Sequence, residues 1–203
     1  RTGRTYKNAE NETVLDVSIS YLENANGSKS EYLGSYKNGS DAAYVYSYDG
    51  NGNITSIVHG NERTTYVYDG LNQLIRVNDS ASNTTTIYTY DQGGNIISKI
   101  EYNYTSGRLP SNTRNTYTYS YDSEWKDLLV SYNGEAITYD EIGNPLSYCG
   151  YDMTWNGRQL HNMYNAEKNL TFTYDENGMR VGKDAVSTVG GNKSRLDKTT
   201  YTY

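Results

Sequence analysis

The sequence predicts an all-β protein: repeated antiparallel β-hairpins joined into a curved or spiralling single-layer ribbon. Three observations carry this. A tyrosine-aspartate pair recurs at Asp49, Asp69, Asp91, Asp122, Asp140 and Asp175, mostly about 20 residues apart, and a period of that length marks an architecture of stacked units. Strict alternation precedes the pair in YVYSYD, TTYVYD, TIYTYD and LTFTYD, the period-two pattern of a strand with two different faces. After the pair come two variable residues and then Gly52, Asn72, Gly94, Gly143 or Gly178, residue types that tolerate positive φ.

Each unit therefore reads as strand, corner and returning strand. The glycine or asparagine column requires a tight turn. Ahead of it, the carboxylates of Asp49, Asp69, Asp91, Asp140 and Asp175 are placed to accept hydrogen bonds from the turn's own amides. The aliphatic runs NITSIV, QLIRV and NIISKI start the strand that returns. A lone hairpin is marginal in water, so such units persist by pairing edge to edge with their neighbours. Right-handed twist coils the resulting ribbon, and tyrosines at equal positions form cross-strand rows.

Residues 1–203 are expected to form one such array, with degenerate strands over 1–43 and about seven hairpin units over 44–203. The segment EYNYTSGRLPSNTRNT, from Glu101 to Thr116, widens one unit and reads as a solvated hairpin extension. TWNGRQL, from Thr154, carries Trp155 and Asn156 where the other units have Tyr and Asp. The one window open to a helix is NAEKNL from Asn165, and it reads as a loop.

Composition restricts the core. The chain holds 24 Tyr but one Phe, and a tyrosine suits a half-buried surface, its ring packed and its hydroxyl bonded to water or main chain. A thick, dry core is not expected. Disordered chains are poor in aromatic and β-branched residues and often rich in proline; this chain has two prolines. The net charge of −6 is spread without runs, so no nucleic-acid footprint is present. No apolar run reaches the length of a membrane span, and no signal-peptide pattern opens the sequence.

The candidate chemistry is sparse. His59, in VHGNE, reads as a hairpin-loop residue and His161 as a strand residue, neither with a metal-ligand partner at suitable spacing. Cys149, the single cysteine, excludes an internal disulfide and reads as a buried or idle thiol. GGNKS at Gly190 lacks the spacing of a phosphate loop and reads as a polar loop. Each corner offers one regular carboxylate, which fits a turn anchor better than a calcium site. No catalytic residue, metal or cofactor is expected.

The units SYDGNGNITSI, YDGLNQLIR, YDQGGNIISKIEY, SEWKDLLVSYNG, ITYDEIGNPLSY, TWNGRQL and YDENGMRVGK resemble, in this order, the YD or RHS repeats of Gram-positive wall-associated proteins and polymorphic toxins. Related repeats occur in the B and C components of toxin complexes and in teneurins. The resemblance implies a partial YD/RHS shell: a secreted or cell-surface bacterial segment, itself non-catalytic, that encloses or displays another polypeptide such as a C-terminal toxin. Its partners would be the rest of the shell and the enclosed C-terminal polypeptide, with edge-to-edge self-association of an isolated piece. The alternative is a tyrosine-rich module that binds cell-wall glycan or mediates cell contact. In such shells release of the cargo follows cleavage at a core containing an aspartate-proline element. Neither Pro110 nor Pro145 follows an aspartate, so no cleavage chemistry is assigned to this chain; its start in a polar stretch and its end in a strand pattern read as a piece of a longer protein.

Overall fold

The computed structural model describes residues 3–189 and 194–201. Most of GGNKS, residues 190–193, lies outside the described residues. The chain divides into two compact units, Arg1–Tyr117 and Thr118–Tyr203, with the boundary inside a strand. The described residues form strands, turns and bends, and no α-helix; NAEKNL is a turn at Asn165 running into a strand.

The first unit is an uninterrupted antiparallel meander. Its strands are β1 (Gly3–Lys7), β2 (Thr13–Glu23), β3 (Lys29–Asn38), β4 (Tyr44–Tyr48), β5 (Ile54–His59), β6 (Glu62–Tyr68), β7 (Leu74–Asp79), β8 (Thr84–Tyr90) and β9 (Ile96–Asn103). Each pairs with its neighbour in sequence. The stretch 1–43 contains two of the longest strands of the molecule, β2 and β3, in spite of its irregular sequence.

The second unit takes over within β10 (Asn115–Tyr121), continuing through β11 (Leu129–Tyr132) and the short β12 (Glu135–Ala136). A separate sheet holds β13 (Ser147–Tyr148), β14 (Tyr151–Asn156), β15 (Gln159–Tyr164), β16 (Lys168–Tyr174), β17 (Arg180–Ser187) and β18 (Ser194–Thr200) in sequence order. All of these pairs are antiparallel hairpins. YDEIGNPL keeps only the isolated bridge Tyr139↔Pro145, as a proline has no N–H for a ladder.

Register explains why the tyrosines matter. At six turns the pairing slips by one residue as the outgoing strand reaches its aromatic, at Tyr48, Tyr68, Tyr90, Tyr121, Trp155 and Tyr174. The extra residue lies on the returning strand: Thr55, Ile75, Ile97, Val130, His161 and Val181. Such a bulge bends the strand and re-aims its side chains.

The interior is thin and largely polar. The buried apolar residues are Ile137, Met153, Phe172 and Ala185, all in the second unit. In the first unit Ser56, Asn78, Thr85 and Thr86 are buried instead. Asn78 is held on both sides: it donates its Nδ2 to Thr65 Oγ1 at 2.9 Å, and Arg76 Nε donates to its Oδ1 at 2.7 Å.

Two sequence readings are corrected here, and the insertion gains anchors that the sequence did not announce. His59 is not in a loop; it ends β5, and its ring stacks on Tyr44 across the pair, centroids 4.0 Å apart. Cys149 is exposed, in a turn with φ of 49°, because the two-residue β13–β14 connection Cys149–Gly150 holds it at the tip. The segment after β9 is exposed over most of its length, as an extension should be, and it also folds back onto the strands. The Thr105 amide donates to Thr85 Oγ1 at 2.9 Å, and Arg76 Nη2 donates to the carbonyls of Thr105 at 2.7 Å and Gly107 at 2.9 Å. The Tyr104 amide and Arg114 Nη1 both reach the Asn83 carbonyl. A long insertion brings main-chain polar groups that need partners, and these side chains supply them.

Thr85 is the pivot, 0% exposed, its hydroxyl 3.1 Å from the Thr105 carbonyl and 3.2 Å from Asn78 Oδ1. Thr85→Val keeps the shape and strands the Thr105 amide, so it is expected to cost about 1–3 kcal/mol in chemical denaturation. Limited proteolysis should then cut first between residues 104 and 114.

Candidate functional site: the repeat corners

The five corners at Asp49, Asp69, Asp91, Asp140 and Asp175 share one geometry. The aspartate amide donates to the carbonyl four residues on, at 2.9 to 3.0 Å, and its own carbonyl accepts the amide three residues on, at 3.0 to 3.2 Å. That third residue is Gly52, Asn72, Gly94, Gly143 or Gly178, with φ of 86°, 62°, 92°, 84° and 79°. The left-handed region suits only glycine and, at moderate cost, asparagine.

The carboxylate sits over the same turn. Oδ1 of each aspartate accepts two amides, from the residues two and four positions on: Asn51 and Asn53, Leu71 and Gln73, Gly93 and Asn95, Ile142 and Asn144, Asn177 and Met179. Where the fourth residue is asparagine, its Nδ2 also donates to Oδ2, at 3.0 Å on Asp49, 3.0 Å on Asp91 and 2.8 Å on Asp140. Asp122 anchors a longer turn, accepting the amides of Glu124 and Trp125.

These bonds favour the charged form of four of the carboxylates. Asn53 and Asn95 lower the Asp49 and Asp91 carboxyls below the ordinary range, and the Trp125 and Glu124 amides do the same for Asp122. At Asp140 burial pushes upward, but the amide and side chain of Asn144 outweigh it and the carboxyl is lowered.

The tyrosine of each pair is also occupied, by the preceding repeat. Tyr48 OH donates to the Leu33 carbonyl at 3.0 Å, Tyr68 OH to Ile54 at 3.0 Å and Tyr90 OH to Leu74 at 2.6 Å. Tyr139 OH reaches Leu129 at 2.6 Å, and Tyr174 OH reaches Leu160 at 3.0 Å. Ile54, Leu74 and Leu129 each open the strand that follows the previous turn, and Leu160 is the second residue of its strand. The atypical unit keeps the rule with a different donor, for Trp155 Nε1 donates to the Pro145 carbonyl at 2.7 Å. Partial burial of the rings raises the phenols of Tyr48, Tyr68, Tyr90 and Tyr139 above their ordinary value.

Corner asparagines reach forward as the tyrosines reach back. Asn53 Nδ2 and Asn51 Nδ2 donate to Asn72 Oδ1 in the next corner, at 2.8 and 2.9 Å. Asn144, itself buried, donates Nδ2 to the Gly157 carbonyl at 2.8 Å. Residue type and position in YDxxGN carried a signal for this asparagine; nothing in the sequence announced the distant carbonyls that the tyrosines find.

The remaining candidate groups do not converge. His59 lies on β5 in the first unit, His161 is the bulged residue of β15 in the second, and Cys149 is at a turn tip. Among the described residues no three His, Cys, Asp or Glu side chains form a group that could hold a metal ion. No helix among them is long and apolar enough to cross a membrane.

A meander of hairpins with aspartate-capped left-handed corners, each tied to the one before by an aromatic donor, defines a hairpin-repeat scaffold. The RHS Repeat family model matches residues 48–84 and 68–109, so the hairpins over that span are RHS repeats. The same fold occurs in the crystal structures of TcdB2-TccC3-TEV (TM-score 0.68, 19% identity, all of this chain) and TcdB2-TccC3-Cdc42 (TM-score 0.71, 19% identity, 98% of this chain). It occurs also in that of TcdB2-TccC3 without hypervariable C-terminal region (TM-score 0.68, 19% identity, 98% of this chain). The chain spans 12% of the length of each of those chains. No curated protein matches it.

Two expectations follow. Gly143→Val, forcing a β-branched residue to φ near 84°, should destabilise by about 1–2 kcal/mol in denaturant melts. Acid should loosen the corners. The folded carboxyls of Asp49, Asp91, Asp122 and Asp140 lie below the unfolded value of about 3.9, so their contribution is fully present above it and is lost as pH falls through the folded values. Thermal melts at descending pH should show this loss, and Asp49→Asn with Asp91→Asn should flatten it. A profile equally steep in that double variant would place the acid sensitivity elsewhere.

Proposed function

We propose that this chain is a non-catalytic stretch of wall in an extracellular bacterial shell of RHS repeats, and that the shell encloses or displays another polypeptide. In this reading residues 1–203 act as one repeat array within a longer protein, and the partners are the adjoining wall and the enclosed chain. The observation that carries it is the run of aromatic donors, each fixed on the main chain of the preceding repeat. Such bonding builds a continuous wall from units that could not stand alone. Similarity of fold to TcdB2-TccC3 structures, one of them defined by the lack of a hypervariable C-terminal region, supports a wall that holds something of variable sequence.

The test uses the full-length protein that carries this chain. A polypeptide held inside resists added protease until the wall opens, so the C-terminal portion should survive digestion in the wild type. It should be degraded when Tyr68→Phe, Tyr90→Phe and Tyr139→Phe are combined, with circular dichroism confirming that the strands persist. Equal digestion of wild type and variant would reject enclosure. Retention on cell-wall glycan that is lost when exposed tyrosines become alanine would favour the glycan-binding alternative.

A further inference from the structure

The sequence holds six Asn-Gly pairs, at Asn26, Asn38, Asn51, Asn133, Asn156 and Asn177. Asparagine before glycine is the pair most open to spontaneous deamidation, since no Cβ shields the glycine nitrogen. The glycine amide nitrogen attacks the asparagine Cγ, the C–N bond of the carboxamide breaks and ammonia leaves. Water then opens the five-membered imide at either carbonyl, giving aspartate or isoaspartate. The step needs a glycine amide free of other bonds and a carboxamide free to swing onto it.

The fold sorts the six pairs by these two requirements. The amides of Gly27, Gly39, Gly52 and Gly178 donate to the carbonyls of Asn24, Asp16, Asp49 and Asp175 at 2.9, 2.6, 3.2 and 3.1 Å. These four nitrogens are engaged. At Asn133 the carboxamide is held, Oδ1 accepting the Thr118 amide at 2.9 Å. Asn156 differs from all of them. It ends β14 at a two-residue turn opposite Gln159, is exposed together with Gly157, and among the described residues neither its carboxamide nor the Gly157 amide has a hydrogen-bond partner.

We infer that Asn156 is the site at which this protein deamidates spontaneously, ahead of the other five pairs. This goes beyond the shell reading and does not depend on it. The place is consequential. The Gly157 carbonyl holds the buried Asn144 side chain, and the adjacent Trp155 is the aromatic donor to Pro145. Aspartate at 156 adds a charge beside these contacts. Isoaspartate adds a methylene to the main chain of a turn that has only two residues, so the β14–β15 register has no room to absorb it.

The experiment incubates the folded chain in mildly alkaline buffer at physiological temperature and follows each Asn-Gly pair by peptide mapping, with an isoaspartate-specific methyltransferase as a second readout. Product at Asn156 should accumulate several-fold faster than at any other pair. Asn156→Gln should remove most methyl acceptance, and the same incubation in denaturant should bring all six rates together. Faster conversion at Asn133, conversion at Asn26, Asn38, Asn51 or Asn177 matching that at Asn156, or an unchanged ranking in denaturant would overturn the assignment.

Discussion

The repeat corners hang on one acceptor, the aspartate carboxylate over the turns at Asp49, Asp69, Asp91, Asp140 and Asp175. A tight turn leaves amides pointing inward that no ladder partner can reach, and leaving them unsatisfied is costly. Oδ1 takes two of them at once, and the aspartate carbonyl takes a third. With the turn closed, the strand ends are fixed in position and register. The bulge beside the corner then aims the aromatic ring at the previous repeat.

That arrangement also accounts for the tyrosine-rich composition. A sheet built from single hairpins has little volume in which to bury leucine or phenylalanine, and the buried polar side chains of the first unit are Ser56, Asn78, Thr85 and Thr86. Cohesion is taken over by half-buried rings with polar tips. Tyr32 lies against Tyr48 at 4.9 Å and Tyr119 against Tyr132 at 5.3 Å, aromatic pairs of the kind that add to area burial. Phenylalanine would keep the packing and lose the tie to the neighbouring carbonyl.

Legibility in the sequence followed the range of the interactions. The all-β class and the positions of the strands around Tyr48, Tyr68, Tyr90 and Tyr174 could be read from alternation, because a period of two is a local property. His59 was misread because the glycine beside it looks like the centre of a loop; in fact Gly60 belongs to a two-residue turn, which leaves His59 paired with Tyr44. The exposure of the segment after β9 was legible, but its anchoring was not. Its partners Arg76, Asn83 and Thr85 are separated from it by one to two repeats, and no pattern within the segment points to them. Trp155 stands where the other units carry Tyr, and the rule it obeys concerns an N–H or O–H donor at the ring's edge and not the identity of the ring.

The acceptors of the aromatic ties have a bearing on how such a chain can change over time. Leu33, Ile54, Leu74, Leu129, Pro145 and Leu160 are touched at their main-chain oxygens, an atom every residue possesses. The lock is therefore read from one side only. A repeat keeps its own key, the aromatic donor and the capped turn, while the surface that receives the neighbour's key is indifferent to side-chain chemistry. Copies can diverge, duplicate or be exchanged between genes without renegotiating their junctions, which gives a lineage freedom to lengthen or shorten the array by whole repeats.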